Sequence, residues 1–222
     1  MSFRNGLVVV LLGLGLSVAA HAQLGVYGMY SANQNTGVQC LAVAPNNCSN
    51  GTAGRTFLGV GSYGTPNTGS VNPQGVSGGV YYDFKTYGPV RFGVDVRGGD
   101  EHSNKSAASS GGGTGSTKAS YFLAGVRGSV HTPISWIKPY GQISVGYAKS
   151  NVTQSSNLSL QDEYLQYEGF VGADVRITSF LDWRAVEVGI GNMNRIGSGT
   201  STDGNSSLGV RSLGAGIVLH MP

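Results

Sequence analysis

The sequence predicts an all-β fold: an eight-stranded antiparallel up-and-down transmembrane β-barrel with long external loops and short periplasmic turns. Three observations predict it. Apolar and polar residues alternate along eight segments, and the connections between those segments alternate long and short. Charged residues make up only 11% of the chain, while Gly contributes 37 of its 222 residues. Period-two alternation marks strands with two unlike faces. Gly weakens helix interiors by roughly 1 kcal/mol each, and transmembrane barrels have short turns at one end and longer loops at the other.

The first element is not part of the fold. Arg4 supplies a positive end, Leu7–Leu16 is an apolar run, and Ala20-His21-Ala22 has the small-x-small form of a signal-peptidase site. Even counted as Gly6–Ala20, the run falls short of the roughly 20 residues that span a bilayer as a helix. Residues 1–22 are therefore expected to be a cleaved signal peptide, and 23–222 a single barrel domain. Cys40 and Cys48 are the only cysteines. In an exported chain this pair is expected to form one disulfide within a surface loop.

The strands follow in order. Leu24–Ala32 is the first. In Val76–Phe84, Val76, Val80, Tyr82 and Phe84 oppose Ser77, Gly79, Tyr81 and Asp83. In Pro89–Gly99, Val90, Phe92, Val94 and Val96 oppose Arg91, Gly93, Asp95 and Arg97. Ser120–Val130 sets Phe122, Ala124, Val126 and Val130 against Gly125, Arg127 and Ser129. Leu165–Ile177 sets Leu165, Tyr167, Val171, Ala173, Val175 and Ile177 against Gln166, Glu168, Gly172, Asp174 and Arg176. Lys138–Ala148, Ala185–Asn192 and Leu208–His220 complete the set. Arg184 and Arg211 fall on the apolar parity near strand ends, where a bulge or snorkelling would place them. The long connections are 33–74, 99–118, 149–163 and 193–207; the short ones are 85–88, 131–137 and 178–182. The strand-like segment 55–64 is read as an extension within the first long loop.

Alternation alone does not say which face points inward. The composition of the polar face does. It holds Gly and Ser together with Asp83, Arg91, Asp95, Arg97, Arg127, Glu168, Asp174, Arg176 and Glu187, and no mid-strand Lys. Five acids against four arginines suit an ion-paired interior, since the planar guanidinium holds two carboxylate oxygens at once. A barrel of eight strands is just wide enough for side chains to fill. Tyr30, Tyr82, Phe84, Tyr147, Tyr167 and Trp183 lie near strand ends, as interfacial aromatic girdles require.

Residues 24–222 thus resemble the small eight-stranded outer-membrane barrels of Gram-negative bacteria, the group that includes the transmembrane domain of outer-membrane protein A. The last strand carries the most specific likeness. Ser212, Gly214, Ile217 and Leu219 fit the family's assembly signal of polar, x, Gly, two residues, hydrophobic, x, hydrophobic. The chain ends His220-Met221-Pro222, where the family commonly ends in Phe or Trp. The resemblance implies insertion by the outer-membrane assembly machinery, residence in the cell outer membrane, and contact with its lipid and lipopolysaccharide.

Function is bounded mainly by exclusion. A net charge of +3 is too small for a nucleic-acid binder. No Gly-X-Y repeat suggests collagen, and 40% hydrophobic residues with 11 Tyr do not fit disorder. Ser109–Thr117 is Gly-rich but lacks the ending of a phosphate-binding loop. Asp83, Asp95 and Asp174 would suggest a cation site, but the lumen arginines would repel the ion, so no metal and no cofactor are expected. His102, within Asp100-Glu101-His102-Ser103, is the one candidate for catalysis at the external end. A working triad needs residues converging from separate strands. The expected role is non-enzymatic: structural, or presenting loops to a surface ligand. A small pore for water or ions is the alternative, and a lipid A-modifying enzyme is a further one.

Overall fold

The computed structural model describes residues 23–39, 68–103, 116–155, 158–196 and 207–221. They form nine strands: β1 (Gln23–Gln39), β2 (Thr68–Val71), β3 (Gln74–Tyr87), β4 (Val90–Ser103), β5 (Ser116–Val130), β6 (Ile137–Ser155), β7 (Leu158–Arg176), β8 (Leu181–Arg195) and β9 (Ser207–Met221). β1 and β3 to β9 pair antiparallel in chain order, and β9 pairs back onto β1. The result is a closed eight-stranded up-and-down barrel. β2 is a short strand hydrogen-bonded to the far end of β1. The expected signal peptide, the Cys40–Cys48 pair and the segment 55–64 lie outside the described residues.

The register fixes the barrel's shape. A row of paired residues runs from Leu24 through Tyr82, Val94, Val126, Ile143, Gly169, Ile190 and Arg211, and returns to β1 at Gln34. One circuit therefore climbs ten residues. Over eight strands spaced ~4.8 Å apart, with ~3.3 Å per residue, that shear gives a strand tilt of about 40° and a backbone radius of about 8 Å. Such a cylinder has room for side chains and little else.

The faces are inverted relative to a water-soluble barrel. Val76 is 66% exposed and Ile143 70%, and Phe92, Phe122, Val126, Val171 and Ile217 also project outward. Inside, Asp95, Arg97, Arg127, Asp174 and Glu187 are buried. Tyr82, Phe84, Phe92 and Trp183 ring the outer wall toward the short turns, while Tyr30, Phe122, Tyr147 and Tyr167 ring it toward the long connections. Tyr167 pairs with Asn192, nine residues along β8 from Trp183. At the tilt above, the two girdles are roughly 20–25 Å apart, the height of a bilayer-facing band.

The β3–β4 turn shows how the short connections are made. Gly88 has φ 56°, a region L residues avoid, and Pro89 follows with its φ fixed near −65°. That sign pattern belongs to the type II′ hairpin turn.

Two sequence expectations change. The long connection 149–163 is mostly strand, because β6 continues to Ser155 and β7 starts at Leu158. Its ladder pairs Lys149 with Glu163 and Val152 with Leu160. Only Val152, Leu158 and Leu160 are apolar between residues 149 and 163, too few for alternation to mark strands there. β4 likewise continues past Gly99 to Ser103, which turns Glu101 into the lumen.

Candidate functional site

Among the described residues, charged side chains converge in the lumen, which is built in layers. Inward-facing residues come from alternate positions of every barrel strand, so each layer samples several strands.

The middle layer is a cross-linked set of arginines and acids. Arg97 of β4 donates from Nη1 to Glu187 of β8 at 2.7 Å, from Nε to Asp95 at 3.2 Å, and from Nη2 to Gln142 of β6 at 2.9 Å. Gln142 in turn donates to Asp95 at 2.6 Å, and Tyr27 of β1 donates to the same carboxylate at 2.9 Å. Arg127 of β5 meets Asp174 of β7 at 2.9 Å. Arg184 of β8 meets the other oxygen of Asp174, also at 2.9 Å, and reaches Glu187 at 3.4 Å. Tyr140 donates to Glu187 at 2.5 Å. The guanidinium of Arg127 lies between two rings, 4.0 Å from that of Tyr81 and 3.9 Å from that of Tyr140. Arg97 stacks 3.9 Å from Phe170. These π faces meet the cations where hydrogen-bond acceptors do not: Nε and Nη1 of Arg127 have no hydrogen-bonding partner among the described residues.

The tyrosines reach the arginines because glycines lie opposite them. Tyr81 pairs with Gly25, Tyr27 with Gly79, Tyr121 with Gly99 and Tyr140 with Gly172. Each ring crosses its partner's bare Cα. A Cβ on Gly172 would lie 2.6 Å from the Tyr140 hydroxyl, and one on Gly99 would lie 2.6 Å from the Tyr121 ring. Much of the high glycine content is thus space for lumen aromatics.

At the short-turn rim, Arg91 donates to Gln23 at 2.6 Å, Gln23 contacts His220 Nδ1 at 2.8 Å, and His220 Nε2 lies 2.6 Å from Asp182. Lys138 reaches the same Asp182 oxygen at 2.8 Å. This chain joins β4, β1, β9, β8 and β6, and it bridges the seam where first and last strands meet.

Of the residues singled out in the sequence, Asp95, Arg97, Arg127, Asp174 and Glu187 come together in the middle layer. Asp83 is buried near Arg127 and Arg91, and Arg91 belongs to the rim chain. Glu168 lies higher, accepting from Ser212 at 2.6 Å and from Gln166 at 2.7 Å. Arg176 is a correction: it ends β7 beyond the packed lumen, exposed at the rim. Inward parity does not place a side chain inside once the strand has passed the barrel's end. In β9, Ile217 and Leu219 project outward, and Ser212 faces the lumen.

Sequence reasoning left Arg184 unplaced and missed Glu101, Asp182 and His220 as lumen residues. Arg184 turns inward because β8 bulges. Asp174 pairs with Arg184 and Ala173 with Val186, so Ala185 is the extra residue. On the other side, the register jumps from Arg184–Gly216 to Glu187–Gly214. Even-numbered residues face inward below the bulge and odd-numbered ones above it. His102 is exposed on the outer face, with Ser103 on the opposite parity of the same strand. Asp100 bonds Ser120 at 3.2 Å and Lys118 at 3.2 Å.

No family model matches the chain, and no curated protein matches it. Among solved structures, the chain is similar to the outer membrane protein OprG from Pseudomonas aeruginosa, at 10% identity over 90% of this chain and 96% of that one, with a TM-score of 0.48. It is also similar to Neisserial surface protein A, at 16% identity over 87% and 96%, with a TM-score of 0.45. The attachment invasion locus protein of Yersinia pestis, solved with the heparin analogue sucrose octasulfate, aligns at 11% identity over 89% and 99%, with a TM-score of 0.43.

Proposed function

We propose that the protein is a non-enzymatic barrel of the cell outer membrane, with a structural or surface-interaction role carried by its long connections. One observation supports this above the others: the wall is apolar outside and ion-paired inside. Water-soluble barrels have the opposite arrangement, and large exposed apolar surface marks contact with lipid or a partner. The two aromatic girdles bound that surface at membrane height. Lipid and lipopolysaccharide are its partners along the wall, and the assembly machinery reads β9.

The test is gel mobility with and without boiling, on outer membranes from cells expressing the chain. A boiling-dependent shift, with the protein in the outer-membrane fraction, is expected. A soluble periplasmic protein with no shift would overturn the proposal.

The ion-paired middle layer argues against a conducting path. Arg97, Glu187, Asp95 and Gln142 bond one another across a cylinder of about 8 Å backbone radius. Replacing Arg97 and Arg127 together with Ala is expected to raise single-channel current in planar bilayers above a near-closed wild type. The enzymatic alternative rests on His102, and its outward position does not bring it to Ser103. His102→Ala is expected to leave the lipid A profile of the cells unchanged.

A further inference from the structure

The upper lumen differs from the layer beneath it in one respect: among the described residues two of its acids form no ion pair, whereas Asp162 above them meets Arg195 at 4.0 Å. In the middle layer, Asp95, Asp174 and Glu187 each touch an arginine. Glu101 and Glu168, nearer the long connections, are bonded by neutral groups. Ser31 donates to Glu101 at 2.9 Å, with Asn33 also beside that carboxylate. Ser212 and Gln166 donate to Glu168. The two carboxylates are close enough to repel each other. Arg97 acts on Glu168 from below, but its donors go to Asp95, Gln142 and Glu187.

Buried oxygens are also left over there. Glu101 is 1% exposed and Asn33 7%, yet Glu101 Oε2 and Asn33 Oδ1 have no hydrogen-bond partner among the described residues. A buried carboxylate needs a compensating charge, and an unpaired buried oxygen needs a donor or a metal. Two carboxylates, an amide oxygen and hydroxyls are the ligand set of a hard cation, which takes only oxygen ligands.

We propose that Glu101 and Glu168, with Asn33 and the lumen serines, bind one hard divalent cation of the calcium class. The site stands above the arginines that would repel an ion in the middle layer. It rests on the lumen geometry alone, whatever role the long connections serve.

The test uses the full chain refolded from urea into detergent micelles with terbium(III) present, so that access through the mouth does not limit binding. Tyr121, electrostatically coupled to Glu101 and Glu168, would sensitise terbium luminescence. A saturable signal displaced by calcium is expected. Glu101→Gln and Glu168→Gln should each weaken binding at least tenfold while keeping the gel shift of the folded barrel. Asp100→Asn, on the outer face, should bind as wild type does. If a glutamine variant fails to fold, Asn33→Ala provides the reading, with a several-fold loss expected. No saturable signal in the wild type, or affinity unchanged in the folded variants, would overturn the proposal.

Discussion

Arg184 is the residue on which the middle layer turns. It is fully buried and binds acids from two strands, its own Glu187 and Asp174 of β7. It also lies 4.3 Å from the Tyr27 ring and 4.6 Å from the Tyr140 ring. Removing one member of a buried ion pair costs about 3–5 kcal/mol, because the partner charge stays buried without compensation. Arg184→Ala should therefore lower the unfolding free energy by that amount, measured by urea titration of the barrel in lipid vesicles. Pairing Arg184→Met with Asp174→Asn should recover part of the loss, whereas purely additive losses would argue against the contact. The lumen glycines allow a second contrast. Gly172→Ala drives a methyl group into Tyr140 and disturbs its bond to Glu187, an overpacking cost of about 1–3 kcal/mol. Gly28 faces outward, and a methyl group added there would meet nothing within 4 Å. Gly28→Ala should be neutral or stabilise by up to about 1 kcal/mol, since alanine has less freedom to lose on folding. Equal effects at the two positions would show that backbone propensity, not the Tyr140 contact, sets the cost.

At the level of elements, the strands show what the sequence could and could not reveal. Where one face meets an apolar surrounding and the other an ion-paired lumen, side-chain period two is visible. That is why the faces of Val76–Phe84 and of Arg91, Asp95 and Arg97 could be read directly. Near the long connections apolar residues are sparse, so the outer reaches of β4, β6 and β7 gave too little alternation to read, and Glu101 was hidden with them. The β8 bulge defeated parity for a different reason. One extra residue reverses every face below it, and no residue type announces the position of Ala185. His220 was legible only as a departure from the expected aromatic end, not as a seam contact. Deleting Ala185 tests this reading of the element. Without the extra residue, Arg184 and Asp182 would face lipid and Trp183 the lumen. An arginine on the lipid face costs about 2–4 kcal/mol near mid-bilayer and less toward the interfaces, and the middle layer loses its contacts as well. The deletion should abolish the boiling-dependent gel shift or cut the folded fraction several-fold. A fully folded deletion variant would mean that β8 re-registers without needing the bulge.

The described residues form a barrel of tilted strands that is ion-paired inside and apolar outside, between two aromatic girdles. A shear of ten over eight strands leaves a bore that the arginines, acids and tyrosines fill. Such an apolar outer wall suits lipid rather than water. Its aromatic residues make the embedding measurable, because the chain has two tryptophans, and both are exposed at the short-turn end: Trp183 on the outer wall, 48% exposed, and Trp136 in the β5–β6 turn, 54% exposed. Tryptophan rings at a membrane interface sit near the headgroups rather than in the hydrocarbon centre. Refolded into vesicles of brominated lipids, the protein should show strong quenching with bromines near the carbonyl end of the acyl chains. Quenching should fall steadily as the bromines move toward the terminal methyl. Trp136→Phe and Trp183→Phe should each keep the same depth profile, because the two residues lie at the same end of the barrel. Quenching equal at all depths would mean that the tryptophans do not share an interfacial level. Absent quenching, with the gel shift retained, would mean that the apolar wall is covered by something other than lipid.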